Sequence, residues 1–128
     1  MLDHVTLTVA DTGKASAFYD AALAPLGIAV AFAPPPDAAG RIAYMGYGSG
    51  GEAYFWIGQG EPATGRAHVA FTANDRASVD AFYAAGMAAG GRDNGAPGFR
   101  PHYHPDYYGA FVLDPDGHNI EAVCHAPS

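Results

Sequence analysis

The sequence has little of several features that mark whole classes of protein. It contains a single cysteine, Cys124, which excludes an internal disulfide framework and favours a reducing compartment. Six basic residues stand against thirteen acidic ones, giving a net charge of −7, and no basic run could follow a nucleic-acid backbone. No apolar run approaches the roughly 20 residues of a membrane helix, and no signal-peptide pattern opens the chain. These absences favour a soluble, cytoplasmic protein, and the length of 128 residues predicts one domain over residues 1–128.

A repeat organises what is present. Residues 3–27 align with residues 67–91 at an offset of 64 without a gap, and ten of the 25 pairs are identical. The matches least expected in an Ala-rich chain are His4 with His68, Asp11 with Asp75, Phe18 with Phe82 and Tyr19 with Tyr83. Two copies of one unit are therefore predicted, module 1 at about 1–60 and module 2 at about 65–126, with a linker near 58–65.

Each copy has the pattern of a strand, a helix and three further strands. Alternating apolar residues predict the opening strands, Asp11 and Asp75 are suited to cap the helices, and Gly27 and Gly91 are suited to end them. The later strands are predicted at 28–33, 42–47 and 53–57 in module 1, and near Arg92, at 108–113 and at 119–124 in module 2. The predicted fold is α+β: two βαβββ modules, paired about a pseudo-twofold axis, form a cupped eight-stranded mixed sheet with flanking helices.

Three residues suggest a metal site. His4 and His68 occupy equivalent places on the polar face of the two opening strands, and a pseudo-twofold axis would bring them together. Glu121 is the acidic residue of an otherwise apolar last strand, where an unpaired charge would be costly and a divalent cation would remove that cost. A lone strand histidine is more often a hydrogen-bonded structural residue, so a purely structural role for both histidines stays open. At an offset of 65, Trp56 falls where a second carboxylate would stand, either packed in the core or lining the pocket.

Residues 95–111, GAPGFRPHYHPDYYGAF, are rich in aromatic side chains and punctuated by Pro and Gly. They predict a loop without counterpart in module 1 that forms a lid or wall over the substrate, or else a rigid cover for a sheet edge. Arg100 is a candidate for binding a carboxylate or phosphonate. The candidate substrate contacts are Trp56, Arg100, His102, Tyr103, Tyr107 and Tyr108. His118, after the turn at 114–117, is expected to be structural.

The segments DHVTLTVADTGKASAFYDAAL, GRAHVAFTAND and AFVLDPDGHNIEAV resemble the vicinal oxygen chelate superfamily, which includes glyoxalase I, extradiol dioxygenases, fosfomycin-resistance enzymes and bleomycin-binding proteins. The resemblance covers essentially the whole chain. It implies that a metal is held by His4, His68 and Glu121. Glyoxalase I carries a carboxylate ligand where Trp56 stands, so the resemblance does not extend to authentic glyoxalase I activity.

The resemblance implies a metal-dependent lyase, isomerase or thiol transferase acting on a small substrate with two neighbouring oxygens. One divalent ion, Zn, Ni, Mn or Fe, would act as the Lewis acid; no residue stands out as a general base. The alternatives are an Fe(II) extradiol-type ring-cleaving dioxygenase and a non-catalytic binding or resistance protein for an aromatic compound. Relatives often form homodimers, sometimes with each cup built from modules of two chains, and a homodimer is expected.

Overall fold

The computed structural model describes residues 2–61 and 66–127, which contain two βαβββ modules in sequence. Module 1 comprises β1 (Val5–Val9), α1 (Thr12–Leu23), β2 (Ala29–Phe32), β3 (Tyr44–Ser49) and β4 (Glu52–Gln59). Module 2 comprises β5 (His68–Thr72), α2 (Arg76–Ala88), β6 (Arg92–Phe99), β7 (Tyr108–Leu113) and β8 (Asn119–Cys124). A 3-10 turn, Ala24–Leu26, follows α1. The predicted α+β class and the two βαβββ modules are confirmed.

The strands form two four-stranded mixed sheets with the same topology, β1-β4-β3-β2 and β5-β8-β7-β6. The opening strand of each module runs parallel to the last one, and the other pairs are antiparallel. Thr6 pairs with Trp56 in module 1 and Ala70 with Glu121 in module 2, so Trp56 and Glu121 occupy equivalent places. Within residues 2–61 and 66–127 no ladder joins the two sheets, and one continuous cup of eight strands stays a prediction.

The apolar faces of both sheets pack against the helices in a shared core. Leu7 and Val9 of β1 and Phe71 of β5 are buried there, as their alternation predicts. The modules meet where α1 contacts α2 and where the Phe55 and Phe71 rings pack edge to face, with centroids 5.2 Å apart. The polar faces of β1 and β5 point away from this core and remain available for a site.

The ends of the two helical segments use glycine in different ways. Gly27 ends the first segment with φ +77°, as predicted. In module 2 the positive φ, +100°, belongs to Gly90, so the expectation that Gly91 would supply it is wrong by one residue. Gly91 is required for another reason: a Cβ there would lie 2.5 Å from Cγ1 of Val112 and 2.6 Å from Cε1 of Phe18. Gly91 therefore allows close packing, and Gly90 provides the turn.

The predicted loop at 95–111 is mostly strand. β6 extends to Phe99 and β7 begins at Tyr108, which leaves Arg100–Tyr107 as the connection, named here the β6–β7 loop. Its counterpart in module 1 is the connection between β2 and β3, so the expectation of a segment without counterpart is wrong. β6 is an edge strand with register shifts on either side of Gly95, and an edge position tolerates the bulges and the proline that weakened the strand pattern.

The predicted linker lies only partly within the described residues. Gly58 and Gln59 belong to β4, and residues 62–65 lie outside the described ranges. In the ranges 2–61 and 66–127, the helices are too short or too polar to cross a membrane.

Candidate functional site

Two of the three predicted metal ligands lie together on the face of the module 2 sheet that points away from α2. His68 is the first residue of β5, and its Nε2 lies 2.8 Å from Oε1 of Glu121 on β8. The glutamate side chain is 3% exposed, whereas that of the histidine is 53% exposed. A buried carboxylate is stable only with partners, and the imidazole supplies one.

The β6–β7 loop supplies the second partner. The Tyr107 hydroxyl donates a hydrogen bond to Oε2 of Glu121. Burial raises the pKa of this phenol most, and the hydrogen bond to Glu121 and the negative charge of Glu121 raise it further. Arg100 lies beside the same sheet face, with its guanidinium 5.4 Å from the Phe111 ring centroid and its Nη2 donating to the Ala96 carbonyl. The site therefore combines a buried anion, an imidazole, a phenol and one guanidinium.

The other predicted substrate contacts divide between this site and the opposite face. Tyr103 packs edge to face on Tyr107, with centroids 4.8 Å apart, and His102 packs on Tyr103. Tyr108 lies on the helix side of the sheet, where its hydroxyl donates to Asp80 of α2, so the structure does not bring it to the site. Tyr107 directly precedes β7, and successive residues of an extended backbone point to opposite faces, which separates Tyr107 from Tyr108.

Trp56 occupies the equivalent face of module 1. Its indole lies over Gly46, where an added Cβ would stand 2.7 Å from Cη2 and Cζ3 of the ring. Phe32 and Tyr44 flank the indole, with centroids 6.1 and 6.2 Å from it, and are 47% and 43% exposed. These three rings form an aromatic surface, named so below, and Trp56 holds the position in it that Glu121 holds in module 2.

His4 does not join His68 and Glu121 within the chain. It precedes β1, its side chain is 55% exposed, and its Nδ1 lies 2.6 Å from Oδ1 of Asp3. It lines a cavity of about 510 Å³ between the open edges of β1 and β5, together with residues such as Tyr54 and Phe71. Across residues 2–61 and 66–127, no three His, Cys, Asp or Glu side chains lie close enough to bind one metal ion.

The packing of the modules explains this separation. The His118 ring bonds both opening strands: its Nδ1 accepts from the backbone N–H of Ala67, just before β5, and its Nε2 donates to the carbonyl of Thr8, near the end of β1. The end of β1 therefore lies beside the start of β5. His4 is at the other end of β1, and four residues of strand span about 13 Å. The structure confirms the expected structural role of His118, which is 4% exposed.

The donor atoms present fit a divalent cation in type, and they are two of the three predicted ligands. An imidazole nitrogen and a carboxylate oxygen are the ligands that Zn, Mn, Fe and Ni accept in proteins. Glu121 is buried, and among the described residues its side-chain hydrogen-bond partners are one histidine and one tyrosine, so a cation beside it would be electrostatically favoured. No third His, Cys, Asp or Glu side chain joins these two among residues 2–61 and 66–127.

One pair of side chains at the site was not predicted. His104 of the β6–β7 loop contacts His125, which follows β8, beside Tyr107. The sequence offers one indication of this contact: histidines are frequent near both ends of the segment that runs from the β6–β7 loop to the residue after β8.

Comparison with known proteins gives a consistent result. The profile of the Glyoxalase/Bleomycin resistance protein/Dioxygenase superfamily matches residues 1–122. A solved glyoxalase/bleomycin resistance protein from Albidiferax ferrireducens T118 is 35% identical, with 95% of this chain and 96% of that chain covered and a TM-score of 0.73. Comparison with curated protein sequences found no significant match.

Two more distant structures share the fold. A glyoxalase-related enzyme from Fulvimarina pelagi is 20% identical, with 97% of this chain and 87% of that chain covered and a TM-score of 0.71. A variant of the fosfomycin resistance protein FosX from Listeria monocytogenes, complexed with Mn(II) and 1S,2S-dihydroxypropylphosphonic acid, is 20% identical, with 96% and 88% covered and a TM-score of 0.67. At these identities the likeness is one of fold.

Proposed function

Because the chain belongs to the Glyoxalase/Bleomycin resistance protein/Dioxygenase superfamily, whose fold is that of the vicinal oxygen chelate proteins, we propose that it is a metal-dependent enzyme. The proposed reaction is that of a lyase, an isomerase or a thiol transferase on a small substrate with two neighbouring oxygens. The ion would be one divalent cation, Zn, Ni, Mn or Fe, and the FosX structure with Mn(II) supports this class of ion for the superfamily.

The convergence of His68 and Glu121 carries the proposal. The 2.8 Å contact between Nε2 and Oε1 places two suitable donors at one point, and burial of the carboxylate keeps water from competing for it. When bound, the cation supplies Lewis-acid polarisation of substrate oxygens. The residues of the chain do the rest: Tyr107 holds the second oxygen of Glu121, and Arg100 offers a charge for an acidic substituent of the substrate.

We place the third ligand, His4, on a second copy of the chain. Within one chain His4 lies about a strand length from His68, yet both stand at open edges, since β1 and β5 are the outer strands of their sheets. An isologous dimer would bring the edge of β1 in one copy to that of β5 in the other, and would do so twice. Each site would then combine His4 of one protomer with His68 and Glu121 of its partner.

Reassortment of two inactive variants tests both the metal and the dimer. His4→Ala and Glu121→Ala are each purified, stripped of metal, mixed after mild dissociation, and loaded with Mn(II). Neither variant alone should hold the ion, whereas the mixed dimer has one intact site and one doubly damaged site. Random reassortment should therefore restore about a quarter of the wild-type metal content, as two-fold symmetry requires. Elemental analysis and the spin-resonance signal of Mn(II) provide the measurement.

The outcomes separate the parts of the proposal. No restored metal with a normally loaded wild type would place the whole site in one chain and overturn the shared site alone. Retention of metal by the Glu121→Ala variant, or a wild type that binds none of the divalent ions and gains no thermal stability from them, would overturn the metal enzyme itself.

A second candidate function is favoured by the aromatic surface. Phe32 and Tyr44 are exposed on module 1 beside the partly exposed Trp56, which suits sequestration of an aromatic compound without chemistry. Binding of such a compound would quench the fluorescence of Trp56, the sole tryptophan, equally in wild type, in Glu121→Ala and in the presence of chelator. Quenching that depends on the metal would instead support the enzyme.

A further inference from the structure

Two imidazole rings near the candidate metal site are in direct contact. Nε2 of His104, in the β6–β7 loop, lies 2.5 Å from Nδ1 of His125, which follows β8. The rings are close to parallel, with an interplanar angle of 23° and centroids 4.7 Å apart. One element of this contact is a loop and the other is the end of a buried strand, so the contact ties the loop to the sheet.

The neighbouring backbone fixes the proton on each ring. The N–H of Asp106 donates to Nδ1 of His104 at 3.1 Å, so this nitrogen is an acceptor and the neutral ring carries its proton on Nε2. That proton points at Nδ1 of His125, which must then be an acceptor as well. The same assignment argues against a metal ion between the two rings, because the facing nitrogen of His104 is protonated. The contact is a hydrogen bond between two neutral imidazoles.

The hydrogen bond bears on the site through Tyr107. The phenol ring packs edge-on against both imidazoles, with centroids 5.5 Å from His104 and 5.2 Å from His125. The Tyr107 N–H also donates to the His104 carbonyl, and its hydroxyl donates to Glu121. The histidine pair therefore helps to keep the β6–β7 loop in the position where the Tyr107 phenol contacts Glu121. If the pair separates, the loop can move and this contact can be lost.

We propose that His104 and His125 are positioning residues that form a latch: while Nδ1 of His125 is free to accept, the pair holds the β6–β7 loop closed with Tyr107 on Glu121, and protonation of this nitrogen opens the loop. A proton added to His125 at Nδ1 sets two N–H groups against each other. A proton added to His104 at Nδ1 displaces the N–H of Asp106 but leaves Nε2–H donating to His125, so it does not by itself break the pair. The hydrogen bond is therefore present while Nδ1 of His125 is unprotonated and is lost when this nitrogen gains a proton, because the acceptor then becomes a second donor. The inference rests on the proposed function only in assigning Glu121 to the metal site.

The groups around the pair are few and are mostly uncharged. The loop contributes Tyr107 and Tyr103 as rings and Asp106, whose backbone bonds His104. From α2, the Arg76 guanidinium donates to the carbonyls of Ala126 and Pro127, next to His125, and disfavours an added proton there. From β8, Glu121 contacts the Tyr107 phenol, which lies between it and the imidazole pair. Its carboxylate already accepts hydrogen bonds from Tyr107 and His68. The acidic side chain nearest in sequence is that of Asp106, within the loop itself.

Amide hydrogen exchange in the metal-free protein tests the latch. The reporters are the loop amides of Arg100, Tyr103 and Tyr107, whose N–H groups donate to backbone carbonyls within the loop. Their protection factors, corrected for the intrinsic pH dependence of exchange, are compared at pH 8 and pH 5.5. Loss of one hydrogen bond of ordinary strength should lower them about fivefold in the wild type at the lower pH.

Two variants sharpen the comparison. In the double variant His104→Gln/His125→Asn, a side-chain amide donates to a side-chain carbonyl in place of the imidazole pair, and neither group titrates, so protection should be equal at both pH values. His102→Gln removes the histidine of the same loop that packs on Tyr103 and not on His125, and should behave as the wild type.

Equal wild-type protection at pH 8 and pH 5.5 overturns the latch, and so does a His102→Gln variant that abolishes the pH dependence. If the double variant does not fold, the comparison of the wild type with His102→Gln is sufficient to test the latch. Because no metal is added, a failed latch leaves the metal assignment standing, and a failed metal assignment leaves the latch result valid.

Discussion

At the scale of single residues, one difference in residue type distinguishes the two sheets on the faces that point away from the helices. The paired modules place Trp56 and Glu121 at the same point of the same ladder, yet one presents a ring and the other a carboxylate. A carboxylate binds a cation or a hydrogen-bond donor, whereas an indole offers a face for stacking. This difference underlies the proposals of a metal site on module 2 and of a surface for an aromatic compound on module 1.

The flat position of the indole depends on Gly46. The variant Gly46→Ala would place a methyl group 2.7 Å from the ring and 2.8 Å from Cβ of Ala53, so the indole must move. We expect a cost of about 1–3 kcal/mol, as for other overpacked sites, and a shifted fluorescence maximum for Trp56. The measurement is urea unfolding followed by emission.

Gly58→Ala is the matched control on the neighbouring strand, because nothing lies within 4 Å of the added Cβ. Its emission maximum should equal that of the wild type. An unchanged maximum in Gly46→Ala would show that the indole does not lie on this glycine.

At the scale of elements, short-range hydrogen bonds set the ends of helices and turns. The Asp11 carboxylate accepts from the N–H groups of Gly13 and Lys14, and that of Asp75 accepts from Ser78 at 2.7 Å. These side chains satisfy backbone donors that the first helical turn leaves free. Because such bonds link residues only two or three positions apart, the sequence alone predicts them.

The Asp75 cap makes the stability of α2 depend on pH. Hydrogen bonds from the side chain and backbone of Ser78 lower the pKa of Asp75 in the folded protein. The stabilisation is therefore complete above the unfolded value of about 3.9 and is lost as the pH falls through the lower folded value. Asp75→Ala should melt at a lower temperature than the wild type at pH 7, and the difference should shrink as the pH approaches 3.

Asp75→Asn serves as the control, since asparagine keeps the capping oxygen but does not titrate. Its melting temperature should lie closer to that of the wild type at pH 7. A gap between Asp75→Ala and wild type that stays constant from pH 7 to pH 3 would exclude a contribution of the ionised cap.

At the scale of the whole molecule, the turn between β7 and β8 joins the modules. Asp114 is fully buried; its Oδ1 accepts from the backbone of Asp116 and His118, and its Oδ2 accepts from the Tyr19 hydroxyl on α1 at 2.6 Å. The Asp116 side chain accepts from the N–H of Ala10, after β1. These contacts set the module packing that keeps His4 away from His68 in one chain.

The Tyr19 contact should give the molecule an alkaline limit. Burial, followed by the charge of Asp114 and the bond to it, raises the pKa of Tyr19 well above its usual value. Its contribution is therefore complete below the unfolded value of about 10 and decreases as the pH rises beyond it. Tyr19→Phe leaves a buried carboxylate oxygen without its donor and should cost about 1–3 kcal/mol at pH 7. Above pH 10 the gap between wild type and variant should narrow in chemical denaturation.

Tyr83→Phe is the control at the equivalent position of the repeat. Desolvation and a bond to Asp93 also raise the pKa of Tyr83, but this phenol is partly exposed, so its loss should cost less. Equal losses in the two variants would show that the Tyr19 contact does not have a special part in joining the modules.

The sequence by itself determined the repeat, the βαβββ order, the helix caps and the equivalence of Trp56 with Glu121. Each of these depends on residue spacing along the chain, or on comparison of one copy with the other, and needs no knowledge of packing. The sequence predicts only a weak strand near Arg92, whereas β6 has eight residues. Pairing with β7 stabilises a Gly- and Pro-containing segment that has little strand preference of its own.

Only the tertiary structure decided which of these elements meet. It brought Glu121 to His68 and Tyr107, turned Tyr108 to the helix side, and paired His104 with His125. It also separated His4 from His68, although the repeat makes them equivalent. A repeat defines two like surfaces but not which edges they share, since contacts such as that of His118 with β1 and β5 link residues distant in sequence.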